Sequence, residues 1–199
     1  MAAHLPRLAE RVLTWARERY IFARWPDFVV GETAEGGPYL LRWYVTPWRR
    51  WREQAEANPT PARRAKAALA RVLPNLYVHM FLRDDDDRAL HDHPSWAISF
   101  ILDGAYLEHT IAEGGIHQRR IWSTGTLRLL PTRHTHRVEL PRLDGAGPEA
   151  APVAVPCVTL FLFGPGVREW GFHCPDRGWV HWREFTAPGR RGEVGRGCD

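Results

Sequence analysis

The sequence predicts an all-β domain preceded by a partly helical N-terminal segment, and three observations carry that reading. From Asn75 onward, stretches of strand length follow one another with turn signals between them. Those stretches are short and evenly spaced, which indicates a sandwich or barrel rather than a sheet of alternating strands and helices. Tryptophan is abundant, with ten in 199 residues, and suits broad strands with ring-filled layers between them.

The N-terminal elements come first. Leu5 to about Ile21 reads as a helix, because Leu5, Leu8, Val12, Trp15 and Ala16 recur at 3/4 spacing opposite Arg7, Glu10, Arg11, Arg17 and Glu18. Pro26 to Pro38 is glycine-bearing loop with at most a short strand at Phe28–Val30. Tyr39 to Thr46 is rich in strand formers. Between about residues 50 and 73 the chain turns charged and alanine-rich. Thr60-Pro61 there has the form of an N-cap followed by proline at the first helical position, so a helical insertion is expected.

The strands expected downstream span 76–83, 95–102, 105–111, 116–122, 126–130, 136–140, 153–163, 167–173 and 179–185, with Asp103-Gly104, Gly114-Gly115 and Gly164-Pro165-Gly166 among the turns. The organisation expected is thus an N-terminal helix, strand and insertion over 1–75 packed on a β-barrel over 76–187. The Gly- and Arg-rich tail, 188–199, is expected to be disordered or to extend across a partner.

Composition bounds the function. The net charge of +4 is small and comes almost wholly from arginine, so no nucleic-acid partner is expected, while an acidic small molecule is compatible with it. The three cysteines, Cys157, Cys174 and Cys198, show no CxxC spacing, which argues against a disulfide framework and a zinc ribbon. No apolar run approaches the ~18 residues that would span a bilayer, and no signal-peptide core is visible, so a reducing cytoplasm is the expected location.

The chemistry concentrates in histidines. In His91-Asp92-His93-Pro94 the two imidazoles stand two residues apart and would share one face of a strand, with Asp92 turned away. Imidazole suits several first-row metals, so the pair indicates a metal without naming it. A later segment, Gly125 to Pro131 followed by His134 and His136, can return a third histidine to that pair.

These residues resemble the two motifs of the cupin superfamily, G(x)5HxH(x)3–4E(x)6G and G(x)5PxG(x)2H(x)3N. His91, His93 and Gly104 match the first, and Gly125, Pro131 and His136 the second. The chain departs from the motifs at Asp85, Ala97, Arg133 and Leu140, and Ala97 stands where the metal-binding Glu would be. The pairing of LHDHP with REWGFHCP also resembles small single-domain cupin-like proteins of bacteria and prophages. The resemblance implies a cupin-type jelly-roll barrel. It further implies one divalent transition metal on His91, His93 and His136, and a homodimer formed by sheet packing.

Other residues are candidates for roles around such a site. A two-residue hairpin at Asp103-Gly104 would pair Ser99 with Glu108 and turn Glu108 and Tyr106 into the cavity, making Glu108 a fourth ligand, a general base or a carboxylate on the rim. Arg168, with Trp170 and His173, is the candidate substrate anchor, or else a structural arginine beside Glu169. The run Asp84–Asp87 lacks the spacing of a calcium loop and reads as a solvated rim. The function these residues suggest is a mononuclear non-haem iron(II) dioxygenase of a small polar or acidic substrate, with zinc, nickel or manganese as other metals. A metal-dependent isomerase or lyase and a non-catalytic sensor of a small ligand or metal are the alternatives.

Overall fold

The structure, a computed structural model, describes residues 2–32, 34, 36–85, 89–144, 151–189 and 193–199. In chain order the elements are β1 (Ala2–His4), α1 (Pro6–Ala16), β2 (Phe28–Val30), β3 (Leu40–Tyr44), α2 (Trp48–Ala57), α3 (Pro61–Val72) and β4 (Asn75–Phe81). There follow β5 (Leu90–His91), β6 (Ala97–Asp103), β7 (Ala105–Ile111), β8 (His117–Ser123), β9 (Thr126–Leu130) and β10 (Arg137–Glu139). The last are β11 (Arg142–Leu143), β12 (Val153–Ala154), β13 (Cys157–Phe163), β14 (Gly171–Cys174), β15 (Gly178–His181) and α4 (Trp182–Phe185).

One antiparallel sheet of seven strands, β1-β9-β6-β13-β4-β3-β2, forms the body. Facing it are two three-stranded sheets, β10-β7-β8 and β15-β14-β5, and β11 pairs with β12. The chain is mostly β, and among the described residues its strands divide between sheets rather than closing into one continuous barrel. The N-terminal strands β1, β2 and β3 are part of the large sheet itself, so the segment 1–75 is woven into the body and does not pack on it as a separate layer.

Strand alternation gives the large sheet two different faces. Trp43, Val78, Phe100, Leu102 and Val158 point outward and pack under Ala9, Leu13 and Ala16 of α1 in one core cluster. The buried stripe of α1 is therefore carried by small residues, while Leu5 and Leu8, expected on it, are exposed. Small side chains let the helix lie close on a face already filled by Trp43 and Phe100. After Ala16 the helix continues as one wider π turn, Arg17–Ile21, to the expected end. The insertion forms as two helices, the second opened by Thr60, whose hydroxyl accepts from the Arg63 amide at 3.3 Å.

The expected hairpin at Asp103-Gly104 is a corner between sheets. β6 pairs with β13 and β9, whereas β7 pairs with β10 and β8, so Ser99 lies opposite Arg128 and Phe161 and not opposite Glu108. Gly104 makes the corner possible, with φ of +75° and no room for a Cβ, which would sit 2.5 Å from the Pro156 carbonyl oxygen. The acidic run also departs from a solvated rim. Asp85 and Asp84 accept from the amides of Val138 and Leu140 at 2.8 and 2.7 Å and so pin the β10 edge; Asp86 and Asp87 lie outside the described residues.

The tail is a further correction. Cys174 and Cys198 form a disulfide, which the sparse cysteine spacing had argued against, and Cys157 is free and buried. The tail returns because Gly195 and Gly197 donate to the Phe185 carbonyl and Thr186 bridges Val194, which brings Cys198 beside β14. The described tail residues are thus held on the body, and cysteine spacing no longer supports a reducing compartment. No helix is long and apolar enough to cross a membrane among the described residues.

Replacing Cys198 with Ser should therefore lower stability by about 3 kcal/mol in urea unfolding, the scale for a bridge closing a loop of this kind of length. It should also speed proteolytic cleavage after residue 188. An unchanged midpoint and an unchanged digestion pattern would show that the bridge does not hold the tail.

Candidate metal centre

His91 lies at the end of β5, and a two-way backbone bridge fixes it to His136: each amide donates to the other's carbonyl, at 2.9 and 3.0 Å. His93 sits two residues further on, beyond the strand, so the HxH segment is not part of a strand continuous with β6 as expected. The three imidazoles nonetheless converge. Their candidate ligand nitrogens all lie within 4.8 Å of one another, and Nε2 of His93 and Nε2 of His136 face each other at 2.9 Å. Burial drives the His91 imidazole down to about 4 despite the opposing charge of Asp85, and burial with the charges of its neighbours drives His93 well below the usual histidine range. Neutral rings keep ring lone pairs for a metal at neutral pH.

Asp92 points away from the cluster, as the spacing implies, into a socket of its own. Its buried carboxylate accepts from the Gly171 amide at 2.9 Å and from Trp179 Nε1 at 3.2 Å, and it pairs with Arg168 Nη1 at 3.0 Å. Arg168 also donates to the His93 carbonyl at 3.2 Å. Arg168 therefore clamps the backbone between the two histidines and does not project into the cavity as a substrate anchor. Glu169 pairs with His181 instead. His173 is turned toward Asp92 at 3.4 Å with a largely exposed side chain, off the cavity wall. Trp170 does line the cavity and stacks on Trp182.

Glu108 faces inward, although not through the expected hairpin. Oε1 is bonded to His134 Nε2 at 2.7 Å, His136 Nδ1 at 2.8 Å and Arg128 Nη2 at 2.8 Å. Oε2 takes Arg128 Nη2 at 2.6 Å and Trp122 Nε1 at 2.8 Å. Burial opposes ionisation of this carboxyl, yet hydrogen bonds from His134 and His136 and the charges of His136 and Arg128 outweigh it and hold Glu108 well below the usual carboxylate range. Four donors already occupy the carboxylate, so it is neither a fourth ligand nor a general base. Its work is orientation: accepting from Nδ1 of His136 leaves that ring's Nε2 lone pair aimed at the cluster.

Glu108, His134 and His136 make a second compact set, but their nitrogens there serve as donors to one carboxylate. Tyr106, the other expected proton carrier, is also set back. Its hydroxyl accepts from Arg128 Nη1 at 3.1 Å in the core, and burial pushes it up to about 12 against the lowering charge of Arg128. It does not reach the cavity.

The histidines open on a cavity of about 340 Å³, near the lower end of the roughly 300–1,000 Å³ of small-molecule sites. Its walls are mainly apolar and aromatic, from Phe81, Phe161, Phe163, Trp170 and Phe172. Asp85 also lines the cavity, and three polar wall residues were missed in the sequence: Arg42 on β3, His79 on β4 and Thr186. The signal was there in alternation: Arg42 falls between Leu40 and Tyr44, and His79 between Tyr77 and Phe81, each a polar residue on an inward face.

Glu108→Gln should cost about 3–5 kcal/mol, because it leaves Arg128 as a buried charge without its partner. It should also weaken metal binding about 10–100-fold through loss of His136 orientation. Urea unfolding and a metal titration check both, and unchanged metal affinity in folded Glu108→Gln would remove the orienting role.

No protein-family model matches the chain, and no curated protein matches it. Among solved structures, the chain is similar to oxalate decarboxylase of Bacillus subtilis, in work on its Mn(II) centres, at 14% identity and a TM-score of 0.41 over 76% of this chain. It is also similar to the formate complex of the Lactobacillus farciminis oxalate decarboxylase, at 12% identity and a TM-score of 0.38 over 66% of this chain. It spans 30% of the length of each.

Proposed function

We propose that this chain is a mononuclear metal-dependent enzyme of the cupin type, with iron(II) the favoured ion and oxidation of a small acidic substrate by dioxygen the favoured reaction. The observation that carries this reading is the convergence of three imidazoles, His91, His93 and His136, at the wall of an aromatic cavity. The donor set fits a divalent transition ion. All three donors are imidazole nitrogens. Of the nearby carboxylates, Glu108 is taken up by four donors, and Asp85, which accepts from the Val138 amide, stands beside His91 at 3.7 Å. Such an ion, when bound, supplies Lewis-acid or one-electron chemistry at positions the protein leaves open.

The rest of the work falls to the chain. Glu108 fixes the tautomer and tilt of His136, and Asp92 with Arg168 fixes the path of the backbone through His91 and His93. The aromatic walls exclude water and favour a substrate with an apolar body. Three neutral ligands leave the ion's charge uncompensated, which favours an anionic substrate. An isomerase or lyase built on a His₃Glu set loses its ground once Glu108 is committed to hydrogen bonds.

Protein purified without chelator should carry about one transition metal per chain, and His93→Ala should lose most of it. Elemental analysis on the wild type and on a His91, His93 and His136 triple alanine variant checks this, and full metal retention in the triple variant contradicts the reading. Loading iron(II) should then give oxygen uptake that depends on an added organic acid. Metal binding with no uptake across a panel of acids would reduce the protein to a binding module.

A further inference from the structure

Arg42 is an unusual residue to find on an aromatic cavity wall. Its Nε donates to Nε2 of His79 at 2.8 Å, and among the described residues no carboxylate pairs with it. Its guanidinium lies over the rings of Tyr77 and Phe28, 5.0 and 5.7 Å from their centroids. His79 is itself held between rings, stacked on Tyr77 at 5.5 Å and on Phe161 at 5.0 Å, and it is buried. Burial first, and then the charge of Arg42, keep the His79 imidazole well below the usual histidine range, so it is a neutral acceptor. The arrangement spends Nε on a fixed neutral partner and the guanidinium faces on aromatic rings.

The other arginines beside the site are matched to carboxylates, Arg128 to Glu108 and Arg168 to Asp92. Arg42 differs from them. The carboxylate of Asp85 lines the same cavity but accepts from the Val138 amide and stands 3.7 Å from His91 Nδ1. A cation with no carboxylate paired to it is costly unless something else meets it.

We infer that Arg42, positioned by His79, is the recognition site for the carboxylate of a small organic acid whose apolar or aromatic body fills the cavity between Arg42 and the three histidines. This deepens the proposed function and rests on it for the position of the reacting end. The anchoring role expected of Arg168 thus falls to Arg42 on the cavity wall. Planar guanidinium matches a carboxylate in a two-point fork, and the aromatic lining rewards a flat, apolar body over a short diacid. His79 is a positioning residue, because it touches Arg42 and holds it by one bond.

The test compares phenylacetate with phenylacetamide by calorimetric titration, on metal-loaded and chelator-stripped protein, with metal content measured on the same samples. Wild type should prefer the acid at least tenfold, and the preference should survive metal removal. Arg42→Gln should abolish it with metal content unchanged, and Arg42→Lys should keep only part of it. His79→Gln, which retains an acceptor for Nε, should keep the preference that His79→Leu loses. No acid preference in the wild type, or the same preference in folded Arg42→Gln, overturns the inference. A preference that vanishes with the metal but persists in Arg42→Gln assigns the carboxylate to the ion and also overturns it. Protein that takes up no metal on loading but still discriminates through Arg42 would leave the subsite standing and remove the metal-enzyme reading.

Discussion

The buried Glu108–Arg128 pair is the interaction on which the rest of the site depends. Two opposite charges sit in the core, each nearly inaccessible, in contact at 2.6 Å. Removing such charges from water costs several kcal/mol per ion, and attraction alone rarely recovers it. Here the recovery comes from complete hydrogen bonding: Trp122, His134 and His136 join Arg128 on one carboxylate, while Arg128 also reaches Tyr106 and lies over the Trp122 ring at 4.3 Å. The network joins the two principal sheets, since Arg128 stands on β9 and Glu108 on β7. The same carboxylate that unites the layers sets the direction of a candidate metal ligand. Fold and site therefore share one polar core.

A second layer of support works through the backbone. Asp92 is buried between the two histidines of the HxH segment and holds that segment against β14 and Arg168. Asp84 and Asp85 hold the β10 edge next to His136. Each histidine is thus constrained by a carboxylate that is not itself a ligand. The chain devotes its acidic residues near the site to geometry, and the cavity wall carries Arg42 as well as Asp85.

Much of this was legible in the sequence, and the limits were physical. The strands from Asn75 onward, the N-terminal helix and the insertion follow from periodicity, caps and turn residues, and most elements lie within a few residues of where patterning puts them. The His91 and His93 pair was legible from spacing, while His136 as the third member came from the resemblance to the second cupin motif. Asp103-Gly104 misled because a positive-φ glycine serves a sheet-to-sheet corner as well as a hairpin, and only the close approach of Pro156 separates the two. Glu108 still faced inward, since alternation along β7 does not depend on which strand it pairs with. Arg168 and Arg42 could not be told apart by residue type: partners decide their roles, and Asp92 and His79 are far from them in sequence. The Cys174–Cys198 bridge was hidden for the same reason, because it depends on the tail folding back over Phe185.

The central claim is that three histidines hold the ion while Glu108 only orients one of them. X-ray absorption at the metal edge, on protein loaded with one equivalent of iron(II), reads the ligand set directly. The account predicts a first shell with three imidazole nitrogens and no protein carboxylate, and a shell that does not change in Glu108→Gln at saturating metal. A shell containing the Glu108 carboxylate, or one with fewer than three imidazoles, would contradict it.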